Sequence, residues 1–204
     1  TLAADAGAPW HVLHEAEAVP PNATRIVQVT RTPGSHAEMR RRSARAGVPV
    51  VGLIPPESPP REPRDPVARL ARVITGRLVG LALGAGAAKG LAHVGVLRAF
   101  VERDIPIDVI SGCSIGSAIA SAVAAGYTVD EIAQITTDVA QRALRPTLPI
   151  HSFLSSRGIR DELERVGRGK RFEDLDVPLA VCAVDIFRRC EVTFTEGLVW
   201  PRIL

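Results

Sequence analysis

Aromatic residues make up only 4% of this 204-residue chain, too few to supply the stacking platforms of a single-strand nucleic-acid binder. Neither sign of charge dominates. Lys and Arg number 25 against 22 Asp and Glu, spread along the chain rather than gathered into a stripe, so phosphate steering of nucleic acid is not indicated. Cysteine is scarce as well: Cys113, Cys182 and Cys190 are odd in number and lack C-x-x-C spacing and a nearby His. That pattern implies neither a disulfide framework nor a zinc site, and a reducing compartment is the default expectation. No run approaches 18 consecutive apolar residues, and Thr1 to Asp5 lacks the cationic and apolar regions of a signal peptide. An initiating Met and a closing element after Trp200 are also missing, so the expectation is a piece of a longer protein.

What is present is a chain with 46% hydrophobic residues, enough for one good-sized domain with an appendage. The expected division is a small α/β unit over 1–54, a connector over 55–65 rich in Pro, and a larger domain over 66–204. In the first unit, β-type runs at Arg25 to Thr30 and Val48 to Ile54 flank a segment of helical composition, Ser35 to Ala46, closed by Gly47. The arginines at 40, 41, 42 and 45 are taken as a solvated face. Pro66 to Thr75 has the pattern of a short amphipathic helix.

The information lies in the next unit. An apolar run of strand length (Leu78 to Leu83) is followed by Gly84-Ala85-Gly86-Ala87-Ala88-Lys89-Gly90, a helix-compatible stretch (Leu91 to Arg103) and a second apolar run (Ile105 to Ile110). Strand, glycine-rich loop, helix and strand within about thirty residues predict a βαβ crossover with parallel strands. Ser111-Gly112-Cys113-Ser114-Ile115-Gly116 then leads into a helix of small residues ending near Gly126. Thr128 and Glu131 form a capping box for a further helix to about Leu144. A helix is expected around Asp161 to Val166, and strands at Leu179 to Val184 and Glu191 to Thr195.

Gly112-Cys113-Ser114-Ile115-Gly116 fits G-x-S-x-G, in which glycines permit a sharp strand-to-helix turn that presents a serine hydroxyl above the sheet. The pentapeptide alone is weak, because an ordinary turn of small residues also produces it. Its place directly between an apolar strand and a helix is what an elbow requires. The helix of thirteen residues spans about 20 Å and the returning strand of seven about 23 Å. Loop and serine therefore meet at one sheet edge, where loop amides would face Ser114 and stabilise an oxyanion. The loop spacing is G-x-G-x-x-x-G, one place longer than the dinucleotide fingerprint, which disfavours a nucleotide site without removing it. His11, His14, His36 and His151 occupy no motif position. His93, inside the helix after the loop, fits a satisfied polar residue better than a base. With no histidine in a motif position, these residues do not point to a Ser-His-Asp triad, and the chain contains no Asp-Gly dipeptide.

These segments resemble the patatin-like phospholipase family. Leu81 to Leu97 is similar to its G-G-G-x-[KR]-G oxyanion loop and following helix, and Ile105 to Gly116 to its nucleophile elbow. Similarity continues through Gly158-Ile159, Arg171 to Leu175, Val184-Asp185 and Glu196-Gly197. The stretch before the loop looks like the branch that includes neuropathy target esterase and its bacterial relatives. The resemblance implies a three-layer α/β fold with a mostly parallel central sheet, incomplete at its C-terminus. It also implies a serine acyl-ester hydrolase of phospholipase or lysophospholipase type, without metal or cofactor. Ser114 would be the nucleophile, Gly86, Ala87 and Ala88 the oxyanion-hole positions, and Gly84, Lys89, Gly90, Gly112, Cys113, Ile115 and Gly116 the supporting loop and elbow. The family's catalytic Asp lies in a D-G-[GA] motif beyond Leu204, so the 204 residues alone are expected to be inactive.

Two departures and the choice of Lys at 89 bear on that expectation. Ala85 and Ala87 stand where the family has glycine, so a positive φ at either would be strained. Lys89 fills the [KR] position with the charge but without the planar fork that Arg would bring. Two alternatives stay open: a degenerate domain that binds lipid or regulates a partner without hydrolysis, and a nucleotide-binding α/β module. The expected partner is a phospholipid or lysophospholipid with peripheral membrane contact, and no nucleic acid. The expected location is the cytoplasm or the cytoplasmic face of a membrane.

Overall fold

The computed structural model describes residues 10–14, 25–29, 36–47, 50–54, 66–143, 164 and 169–203. By its internal contacts the chain divides into two units, Thr1–Val79 and Gly80–Leu204. The connector expected at 55–65 lies outside the described residues. So does the helix expected at 161–166, apart from the helical Glu164.

In the first unit, strands β1 (Trp10–His14), β2 (Arg25–Val29) and β3 (Val50–Ile54) form a parallel sheet in that order. Helix α1 (His36–Ala46) and helix α2 (Pro66–Ile74) both pack on β3. Each stops at a glycine in left-handed conformation, Gly47 at φ 68° and Gly76 at φ 67°, where a Cβ would be strained. β1 has no counterpart in the sequence reading, and α2 falls in this unit rather than with the residues that follow it.

The second unit carries a sheet in the order β4 (Gly80–Leu83), β5 (Val109–Cys113), β6 (Leu179–Asp185), β7 (Cys190–Phe194). The first three strands are parallel and β7 returns antiparallel to β6, giving the mixed α/β, mostly parallel architecture. Helix α3 (Ala92–Glu102) makes the crossover from β4 to β5, and helices α4 (Ile115–Ala124) and α5 (Val129–Ala143) follow. Steps β4 to β5 to β6 all run one way across the sheet, so crossovers of a single hand place their helices on one face. α4 accordingly lies against β4, β5 and β6 and packs with α3 and α5. Leu83, Ile110, Leu179 and Val181 are buried on that face, whereas Ala82, Cys113 and Val184, out of phase with them, are exposed.

The composition of α4 follows from its position. Eight of its ten residues are buried, and Gly, Ala and Ser let the helix axis approach the strands closely. The hydroxyls of Ser117 and Ser121 are satisfied within the helix, donating to the carbonyls of Ser114 (2.5 Å) and Ser117 (2.6 Å). The capping box forms: Thr128 N donates to Glu131 Oε2 (2.8 Å) and Glu131 N to Thr128 Oγ1 (3.3 Å).

One boundary is corrected. The strand expected over Ile105 to Ile110 begins only at Val109 and continues to Cys113. Ile105 N is held by Phe100 O (2.9 Å) in the turn that closes α3, and Pro106 has no amide to give a ladder. The apolar run is core-packed coil leading into a strand, and Gly112 and Cys113 of the pentapeptide are strand residues.

Candidate active site

β4 and β5 are in register, Leu83 opposite Gly112, so the loop from Gly84 and the turn at Ser114 leave adjacent strand ends on the C-terminal edge of the sheet. Open parallel sheets place their ligands at this edge. The loop's second half is a 3₁₀ turn, Ala87–Leu91, with Lys89 N donating to Gly86 O (3.0 Å), and it leads directly into α3. Its leading amides, at Ala87 and Ala88, have no acceptor earlier in the helix.

Ser114 occupies the N-cap of α4, and the ordinary explanation of a serine there is capping. The geometry differs. A capping serine has extended backbone and accepts an amide of the first turn, whereas Ser114 sits at φ 54°, ψ −127° and makes no side-chain cap bond. Its carbonyl accepts Ser117 N (2.8 Å), as an N-cap carbonyl does, but the residue is strained and exposed. Such a conformation costs about 1–3 kcal/mol and persists only where the surroundings enforce it.

Three glycines provide that enforcement by allowing close approach, two of them to backbone and one to a side chain. A Cβ on Gly116 would run into the carbonyl oxygen of Leu83 and lie 2.7 Å from that of Gly84. On Gly112 it would meet the Gly116 carbonyl, with Ser117 Cα at 2.5 Å. On Gly90 it would collide with the side chain of Ile115, whose Cγ1 would be 2.8 Å away. The start of α4 is thus wedged between the end of β4 and the 3₁₀ turn. Gly84, Gly90, Gly112, Ile115 and Gly116 act as one packed unit that brings loop and elbow together. Cys113 is the exposed last residue of β5, and Lys89 is exposed on the loop.

The two alanines separate. Ala87 has φ 48°, whereas Ala85 is not among the positive-φ residues. An L-residue there costs about 1 kcal/mol, so Ala87→Gly is expected to stabilise the protein by about that amount in thermal denaturation. Ala85→Gly should instead lose about 0.5–1 kcal/mol through chain entropy.

Sequence reasoning did not find the partner of His93. Its Nε2 lies 2.9 Å from the Gly84 carbonyl oxygen, nine residues back, bridging α3 to the first residue of the loop. With Nε2 protonated, the imidazole donates to that carbonyl and pins the segment against which Gly116 packs. A bond of this kind contributes about 1 kcal/mol. His93→Ala is therefore expected to destabilise the protein by about 1 kcal/mol in thermal denaturation, and His93→Gln, whose amide can donate to the same oxygen, to recover most of the loss. Among the described residues, no group of His, Cys, Asp and Glu is arranged to hold a metal ion.

The patatin-like phospholipase family model matches residues 81–200, more than half of the chain. Patatin-like phospholipase domain-containing protein 7 of Rattus norvegicus is 33% identical over 151 residues, covering 71% of this chain and 11% of that protein. Patatin-like phospholipase domain-containing protein 6 of Homo sapiens is 34% identical over 140 residues, 65% of this chain and 10% of that protein. Neuropathy target esterase sws of Drosophila persimilis is 32% identical over 140 residues, again 65% and 10%. The chain thus spans about a tenth of the length of these relatives. Among solved structures, the type III effector protein ExoU aligns with a TM-score of 0.40 at 16% identity, covering 59% of this chain and 36% of that one. On the match over 81–200, the chain belongs to the patatin-like phospholipase family.

Proposed function

We propose that residues 80–203 form the nucleophile-bearing part of a serine hydrolase acting on acyl esters of phospholipids or lysophospholipids. The observation that carries this reading is the backbone of Ser114, strained, exposed and free of the capping bond a structural serine would make. Family membership and relatives named as phospholipases and esterases support the substrate class.

In this mechanism Ser114 Oγ attacks the ester carbonyl and transfers its proton to a carboxylate. The carboxylic acid so formed returns that proton to the departing alkoxide, and water then attacks the acyl-enzyme with the regenerated carboxylate as base, releasing the fatty acid and restoring the Ser114 hydroxyl. Amides of Gly86, Ala87 and Ala88 receive the developing oxyanion, and each such donor typically contributes about 3–4 kcal/mol to lowering the barrier. His93 holds the loop by its first carbonyl and is not the base. The carboxylate is supplied from beyond Leu204 in a longer protein. The chain holds no Asp-Gly dipeptide, which supports a carboxylate from outside these 204 residues. An aspartate without histidine must be buried or closely hydrogen-bonded to be basic enough. The protein acts in the cytoplasm or on the cytoplasmic face of a membrane.

The test is release of fatty acid from lysophosphatidylcholine by the longer protein and its loss in Ser114→Ala. Lipid binding without hydrolysis, indifferent to Ser114, would favour a degenerate regulatory domain instead. Ala87 at φ 48° is the observation on that side, because it strains the amide it carries.

A further inference from the structure

β6 outruns its parallel neighbour. Cys182 lies opposite Cys113, the last residue of β5, but β6 continues to Asp185, paired there only with Cys190 of β7. Three further strand residues at about 3.3 Å each carry the chain roughly 10 Å past the strand end that delivers Ser114. The turn Ile186-Phe187-Arg188-Arg189 therefore projects from the same sheet edge as the candidate active site. Its side chains are conspicuous: Phe187 is 92% exposed, Ile186 75% and the adjoining Val184 70%, values ordinary for lysine rather than for large apolar groups.

The tip is also held in shape. Asp185 Oδ1 accepts the amides of Phe187 (3.0 Å) and Arg188 (2.9 Å), and Asp185 Oδ2 lies 3.8 Å from Arg188 Nε. That bonding fixes the turn, so Ile186 and Phe187 stay outward instead of collapsing onto the sheet. Arg188 and Arg189 flank them, both exposed. An aromatic and an aliphatic side chain beside two guanidinium groups match a bilayer interface bearing anionic lipid, with the apolar pair entering the acyl boundary and the arginines meeting phosphate.

We propose that this hairpin tip is the element by which the domain docks on an anionic phospholipid surface, with the sheet edge carrying Ser114 facing the lipid. The proposal rests on the lipid-ester reading above and gives it a binding surface. It is tested by co-sedimenting the 204-residue chain with vesicles of phosphatidylcholine, alone or with about one third phosphatidylserine. The chain should prefer the anionic vesicles. Ile186→Ser/Phe187→Ser should cut binding at least tenfold, and Arg188→Gln and Arg189→Gln about fivefold each, with circular dichroism showing the fold retained. Sedimentation needs no turnover, so failure of the docking surface shows there while failure of the serine chemistry shows only in fatty-acid release from lysophosphatidylcholine. Binding that ignores the Ile186/Phe187 change would overturn the proposal, as would equal affinity for both vesicle types. A sedimentation-velocity dimer that the same change dissolves would assign the tip to a second copy of the chain and overturn it too.

Discussion

Gly116→Ala is expected to destabilise the second unit by about 3 kcal/mol in urea or thermal unfolding and to abolish the elbow's geometry in whatever remains folded. A glycine-to-alanine change inside a helix ordinarily gains about 1 kcal/mol, because alanine restricts the unfolded chain and favours the helix. Here that gain is outweighed. The added methyl would occupy the place of the Leu83 carbonyl and crowd that of Gly84, and both atoms are backbone with no rotamer to yield. Relief requires α4 to move off the end of β4, which separates Ser114 from the loop. Gly95 is the internal control: it lies in α3, and a Cβ there would meet nothing within 4 Å. Gly95→Ala should therefore raise the melting temperature while Gly116→Ala lowers it. Equal behaviour of the two would mean that close backbone approach does not build the elbow.

Ser114→Gly is expected to be more stable than the parent and inactive. The strain at φ 54°, ψ −127° costs about 1–3 kcal/mol for a residue with a Cβ and disappears for glycine. The extra freedom of glycine in the unfolded chain returns about 0.5–1 kcal/mol of that. A net gain of about 1 kcal/mol, some 2–4 °C in melting temperature, is the expected balance. Ser114→Ala keeps the Cβ and the strain, so it should melt close to the parent. Both variants should lose acyl transfer in the longer protein by a factor of about 10⁴ or more, as the attacking hydroxyl is gone. A destabilised Ser114→Gly would remove the evidence that the fold stores strain at this residue.

Legibility divides along the range of the interactions. Helix ends were readable because their causes are local: Gly47, Gly76 and Gly126 each stop a helix at positive φ, and Thr128 with Glu131 starts one. The strand–loop–helix–strand order and the turn at Ser114 followed from apolar runs and glycine placement. β1 is not legible in the sequence because Trp10-His11-Val12-Leu13-His14 has no clear period and gains its strand character from pairing with β2. The start of β5 was misplaced because Ile105 to Ile107 are apolar for burial and not for a ladder. At the site, the sequence shows which residues are glycine but not which atoms they make room for. Gly116 looks like a flexible flank until the Leu83 carbonyl is found where its side chain would be. The bridge from His93 to Gly84 has no sequence signal beyond a polar residue in a helix, and only the backbone angles separate Ala87 from Ala85.

The central claim is that Ser114 is an activated nucleophile, and covalent capture tests it most directly. The longer protein, incubated with a fluorophosphonate probe and read by intact mass and peptide mapping, should gain one adduct on the peptide containing Ser114, absent from Ser114→Ala. Folded protein that takes up no probe, or carries it on another residue, would contradict the account.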